Sequence, residues 1–217
     1  MANLLANRHH DSDPVWHVQA AVVIAIVLQF LLPEQFVVGH RFVVYLSSIA
    51  LLIALSYTTP QKGVFKSARR RVNVILLAFI IGATNIYSLI QVVNNLLGAG
   101  NTNGHDLILS AINIYLTNIV VFALLYWEMD GGGPGTRRIT NTDDRDFLFP
   151  QNSIITSKNW HPTFIDYLYV SSTNATAFSP TDTMPLSRRA KMLMLVQALV
   201  SLISIALIAG RAVNILQ

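Results

Sequence analysis

Five long apolar segments organise the chain: about Val15 to Leu32, Phe36 to Tyr57, Val72 to Leu97, Asp106 to Tyr126, and Lys191 to Ile215. Their apolar residues run continuously instead of alternating with polar ones, which is the pattern of helices and not of half-exposed strands. Each approaches the roughly 20 residues that a helix needs to cross bilayer hydrocarbon, where every backbone amide must find its partner inside the protein. The expected fold is an all-α membrane protein with five transmembrane helices.

Punctuation between the segments sharpens this layout. Leu32-Pro33-Glu34-Gln35 joins the first pair as a tight hairpin, because Pro33 cannot continue a helix. The run from Gly98 to Gly104 joins the third and fourth segments, with helix-stopping glycines at both ends. The first segment is expected to stay in the mature protein, since Pro33-Glu34 follows it where a secretory signal would carry small residues.

A long polar stretch separates the fourth and fifth segments. It begins with Gly131-Gly132-Gly133-Pro134-Gly135, flexible by composition, and continues through Asp143-Asp144-Arg145-Asp146. From Thr163 to Thr176 the chain turns apolar and aromatic again, with Phe164, Tyr167, Leu168 and Val170, yet this run is too short to cross a bilayer. A re-entrant half-helix is the expectation, and an amphipathic helix lying at the interface is the other reading. The implied division is a four-helix membrane region over residues 1–130, a polar linker over 131–162 and a pore-like module over 163–217.

Composition agrees with a bilayer as solvent: 53% of residues are hydrophobic, 12% are charged, and the mean hydropathy is +0.48. The chain has no cysteine, which removes disulfides, thiolate metal sites and thiol chemistry. A formal net charge of +4 does not point to nucleic acid, because the basic residues sit at the ends of the apolar segments. With the amino terminus inside, thirteen of the fifteen Lys and Arg residues fall on the cytoplasmic side, leaving only Arg41 and Arg211 opposite. The expectation is a multi-pass protein of the cell (inner) membrane with a cytoplasmic amino terminus.

The segment Ser171-Ser172-Thr173-Asn174-Ala175-Thr176-Ala177-Phe178-Ser179-Pro180-Thr181-Asp182-Thr183-Met184-Pro185-Leu186-Ser187 resembles the pore loop of tetrameric potassium channels. In that family a short aromatic helix ends in Thr-Val-Gly-Tyr-Gly-Asp, followed by Pro and the inner pore helix. Thr176, Asp182 and Pro185 match without a gap, and a long apolar helix follows. The whole layout is also similar to a family of bacterial membrane proteins to which no activity attaches. That likeness is carried by Arg69-Arg70-Arg71, Asp166-Tyr167-Leu168-Tyr169, and Phe178-Ser179 leading to Asp182. The channel resemblance implies a homotetramer in the lipid bilayer, inorganic ions as passengers, and Thr176, Ala177, Phe178, Ser179, Pro180, Thr181 and Asp182 at the filter position.

Potassium filters use glycines to aim successive carbonyls at one axis, and here Phe178, Ser179, Pro180 and Thr181 stand where Val, Gly, Tyr and Gly belong. Pro180 also restricts Ser179 to extended conformations, so the standard potassium sites are not expected. A constriction would be lined by the hydroxyls of Thr176, Ser179 and Thr181 or blocked by Phe178. Asp182 would set a ring of carboxylates at one mouth, or act as a turn residue. The charge count places this loop on the cytoplasmic face, opposite to potassium channels, an inverted arrangement that ionotropic glutamate receptors resemble.

Gln197, Ser201, Ser204 and Arg211 are spaced by 4, 3 and 7 residues, which puts them on one stripe of the last helix. Two readings fit: Gln197, Ser201 and Ser204 line a wet path, or they mediate helix packing while Arg211 snorkels to the interface. Asn73, Asn85, Gln91, Asn94 and Asn95 on the third segment, with Asn113, Thr117 and Asn118 on the fourth, suit interhelical bonding or a solute site. Neither segment carries a charged residue at its middle, which argues against a proton-driven carrier. His9, His10 and His17 lack metal-ligand spacing, His161 reads as a cap or interface residue, and no nucleophile has a base beside it, so no enzyme, cofactor or metal is expected. The function expected is a channel-like, tetrameric pore without the potassium filter. The alternatives are a non-conducting scaffold or sensor of pore-like fold, and a small-solute transporter.

Overall fold

The computed structural model describes residues 15–37, 49, 68–98, 103–134, 136–137, 145–153, 160–177 and 182–215. Among these residues five α-helices are delimited, in order α1 (Val15–Phe30), α2 (Ala68–Leu97), α3 (Gly104–Met129), α4 (Phe164–Ala177) and α5 (Arg188–Ile215). Two short strands, β1 (Phe147–Leu148) and β2 (Met184–Pro185), pair antiparallel, with Phe147 opposite Pro185 and Leu148 opposite Met184.

Among the described residues three stretches are long and apolar enough to cross a membrane, Arg71–Leu97, Gly104–Gly132 and Arg188–Val213, as an all-α membrane protein requires. α1 is shorter at 16 residues, stopping before Pro33. The second expected span, Phe36 to Tyr57, lies largely outside the described residues.

α3 is the centre of the bundle and packs against α1, α2, α4 and α5. Every residue from Val121 to Glu128 is buried, so this part of the helix is enclosed on all sides. α2 runs antiparallel to it: Gly82 lies where an added Cβ would sit 3.3 Å from Val121 Cγ1, and Asn85 Nδ2 donates to the Ile114 carbonyl at 3.0 Å. The absent side chain at Gly82 is what lets the two helices approach there. Helix starts follow local chemistry: Asn103 Oδ1 accepts from the His105 amide at 3.2 Å, and Ser187 Oγ accepts from the Ala190 amide at 3.1 Å. α4 starts at a capping pair in which Asp166 Oδ2 accepts from both the amide and the hydroxyl of Thr163, at 2.7 and 2.9 Å. The cap is thus Thr163 with Asp166, and His161 stands half-buried just ahead of it.

The stretch expected to be a flexible linker contributes Arg137, Arg145, Asp146, Phe147 and Phe149 to the buried interior, while Thr136, Pro150 and Ser153 are exposed. Gly131, Gly132 and Gly133 all have positive φ, at 56°, 81° and 96°. They form a tight turn closed by bonds from the Gly133 amide to the Asp130 carbonyl and from the Arg137 amide to the Gly133 carbonyl, each 2.9 Å. Phe147 and Phe149 then return to pack against Tyr126, Trp160 and Tyr167. Glycine at these positions sets a fixed conformation that L side chains rarely adopt.

Candidate functional site

Two buried polar centres hold α4 between α3 and α5. The first lies at the end of α3. Asp130 Oδ1 accepts from the amides of Asp146 and Phe147 at 2.7 and 3.1 Å, and Oδ2 accepts the hydroxyl proton of Tyr167. Arg137 Nε stands 3.5 Å from Asp130 Oδ2, and both side chains are almost wholly buried. Its guanidinium also donates to the carbonyls of Pro162, at 3.2 Å, and Trp127, and lies 4.6 Å from the centroid of the Tyr167 ring. The Tyr167 side chain is wholly buried, and Asp130 is the acceptor its hydroxyl reaches among the described residues. From α2, Arg71 Nε adds a bond to the Glu128 carbonyl at 3.1 Å.

The second centre surrounds Gln197 on α5. Its Oε1 accepts from Tyr126 Oη at 2.6 Å and from Asn174 Nδ2 at 2.8 Å. Its Nε2 donates to the Ser171 carbonyl at 2.9 Å and to Ser171 Oγ at 2.6 Å. Ser171 Oγ donates in turn to the Ile119 carbonyl at 2.6 Å. Asn118 Nδ2 bonds the Gln197 carbonyl and Ser201 Oγ, at 3.1 and 2.8 Å, and Asn174 Nδ2 also bonds the Met194 carbonyl at 3.0 Å. Each amide of this cluster is bonded to a group on a neighbouring helix.

Gln197, Ser201 and Ser204 are all 0% exposed. The stripe read from the sequence as a candidate pore wall therefore faces the inside of a single chain, and the packing reading is the one the geometry fits. A side chain sealed by its own helices has no surface left for an axis between copies. The face of α5 left open is apolar, with Met192, Leu195, Val196, Leu199, Leu202 and Ile203 exposed. Asn85 and Asn118 likewise make helix-to-helix bonds.

Of the filter-position residues, Thr176 and Ala177 form the exposed end of α4, with Thr176 Oγ1 bonded back to the Ser172 carbonyl at 2.9 Å. Phe178, Ser179, Pro180 and Thr181 lie outside the described residues. Asp182 is exposed, and its Oδ2 accepts from Tyr169 Oη at 3.4 Å. Asp130 and Arg137 carried no signal in the sequence beyond an acid and a base flanking a glycine run. Among the described residues no group of acidic or histidine side chains is placed to hold a metal ion. Comparison with protein-family models, with curated proteins and with solved structures finds no match.

Proposed function

We propose that this protein is channel-like: four copies of the 163–217 module surround a common axis, with α4 as a half-helix that enters the membrane and returns on one side. The observation that carries this reading is the path of α4. Its first turns lie beside Asp130, at the end of α3, and its Asn174 reaches Met194 and Gln197, well along α5. By Met184 the chain is back beside β1, and Leu186 bonds the Asp146 carbonyl at 2.8 Å. A short helix followed by a return to the same end and then a long helix is the order of parts in the pore module that the sequence resembles. The last carbonyls of α4 end at the depth of Gln197 and need shelter by protein or water, which neighbouring copies would supply. Positive charge puts the returning end on the cytoplasmic side, with five crossings in all.

The open face of α5 gives a second reading specific support. If that apolar face meets the axis, the axis is dry at rest, as in a non-conducting scaffold or a pore gated by dewetting. Planar-bilayer recording of the purified protein separates the two. Ion-dependent conductance is expected for the channel, and its absence under varied ions, voltage and pH would leave the scaffold.

A further inference from the structure

We propose that the entrance of α5 is a binding surface for anionic phospholipid headgroups, with Arg188 and Lys191 as its cations above an apolar collar of Met184, Leu186 and Met192. The inference rests on the membrane character of the chain and is independent of whether the axis conducts.

Charge is sorted at this end of the molecule. The first turn of α2, the last turn of α3 and the first turn of α5 meet here, joined through Arg71 to the Glu128 carbonyl and through Arg189 to Asp146 at 3.4 Å. The nearby acids Glu128, Asp130 and Asp146 are turned inward and buried. Arg188 and Lys191 are exposed and form no ion pair with a described acid. Even Arg189, which reaches Asp146, keeps 70% of its side chain open. The exposed acid nearby, Asp182, lies two residues before the collar and accepts from Tyr169. Among the described residues, what this surface presents outward is therefore predominantly cationic.

The collar decides which anion fits. Met184, Leu186 and Met192 are 64%, 41% and 59% exposed, immediately beside the cations in sequence. In water, large apolar side chains at such exposure gain nothing. At the border between headgroups and acyl chains they enter hydrocarbon while the cations reach phosphate. The collar is itself apolar, so the occupant must be apolar on one side. A phospholipid with net negative charge meets both demands. A zwitterionic one meets only the apolar demand.

The test uses the full-length protein in detergent micelles, titrated with phosphatidylglycerol or phosphatidylcholine, with the melting temperature as readout. Phosphatidylglycerol is expected to raise the melting temperature to a plateau that phosphatidylcholine does not reproduce. Each cation contributes roughly fivefold to affinity for an anionic lipid surface, so R188Q/K191Q should weaken the response by on the order of tenfold or more. Its melting temperature without added lipid should match wild type, because neither side chain bonds to a described residue. R188K/K191R should keep the response, and about 1 M salt should suppress it. An R188Q/K191Q response equal to wild type, or equal stabilisation by phosphatidylcholine, would overturn the proposal. So would a shift reproduced by inorganic phosphate alone, which would mark a site for free anions.

Discussion

Tyr167 on α4 donates its hydroxyl proton to Asp130 at the end of α3, across 37 residues of sequence, and Arg137 closes the group by facing both the carboxylate and the ring. Asp130 is the only acceptor that this buried phenol is bonded to among the described residues, and it also ties down the strand carrying Phe147. Asp130→Asn removes the charge that offsets Arg137 in a site closed to water. Breaking a buried pair in this way costs about 3–5 kcal/mol. A marked fall in melting temperature in micelles is expected, smaller for Tyr167→Phe, which loses one hydrogen bond and keeps the pair.

Gly133 has φ 96° and ψ 173°, a region essentially confined to glycine. An added Cβ would also stand 3.1 Å from the Glu128 carbonyl and 3.5 Å from Arg71 Cδ. Gly133→Ala should therefore destabilise by about 1–3 kcal/mol, measured by denaturant titration. A neutral result would show that the turn adopts another conformation.

Gln197→Leu keeps the volume at the junction of three helices and deletes the acceptor for Tyr126 and Asn174 and the donor to Ser171. Interhelical bonds in membranes average roughly 0.6 kcal/mol. Leaving several partners unsatisfied at once raises the expected loss to about 2 kcal/mol. Thermal unfolding of the purified variant checks this figure.

If the protein conducts, the two faces of α5 should respond differently. Leu199→Ser, on the open face, should raise conductance by wetting the axis, whereas Ser201→Ala, on the closed face, should alter stability and leave unitary conductance unchanged. Single-channel recording of both variants distinguishes them; the opposite pattern would return the pore wall to the polar stripe.

Asp182 is the exposed carboxylate at the return of the loop. In a conducting tetramer, Asp182→Asn should shift the reversal potential under asymmetric salt away from cation preference. An unchanged value would remove Asp182 from selectivity.

Helix positions were legible because they depend on short-range rules. Val72 to Leu97 and Asp106 to Tyr126 appear as helices extended by a few residues, Ala68–Leu97 and Gly104–Met129, since arginines and the buried Trp127 and Glu128 continue the turns. The short helix α4 was legible for the same reason, from its apolar and aromatic run. The glycine run was misjudged. Composition reads as flexibility, but the three consecutive positive-φ residues form one tight turn, and the Arg71 side chain that lies against Gly133 comes from α2, remote in sequence.

By itself the sequence determined an all-α protein with membrane-length helices, their ends and the sorting of positive charge, all set by the cost of unpaired amides and charges in hydrocarbon. Periodicity also placed Gln197, Ser201 and Ser204 on one stripe of α5. Which way that stripe faces was decided only by tertiary structure, because a helix has no outside until Asn118, Tyr126, Ser171 and Asn174 arrive to satisfy it.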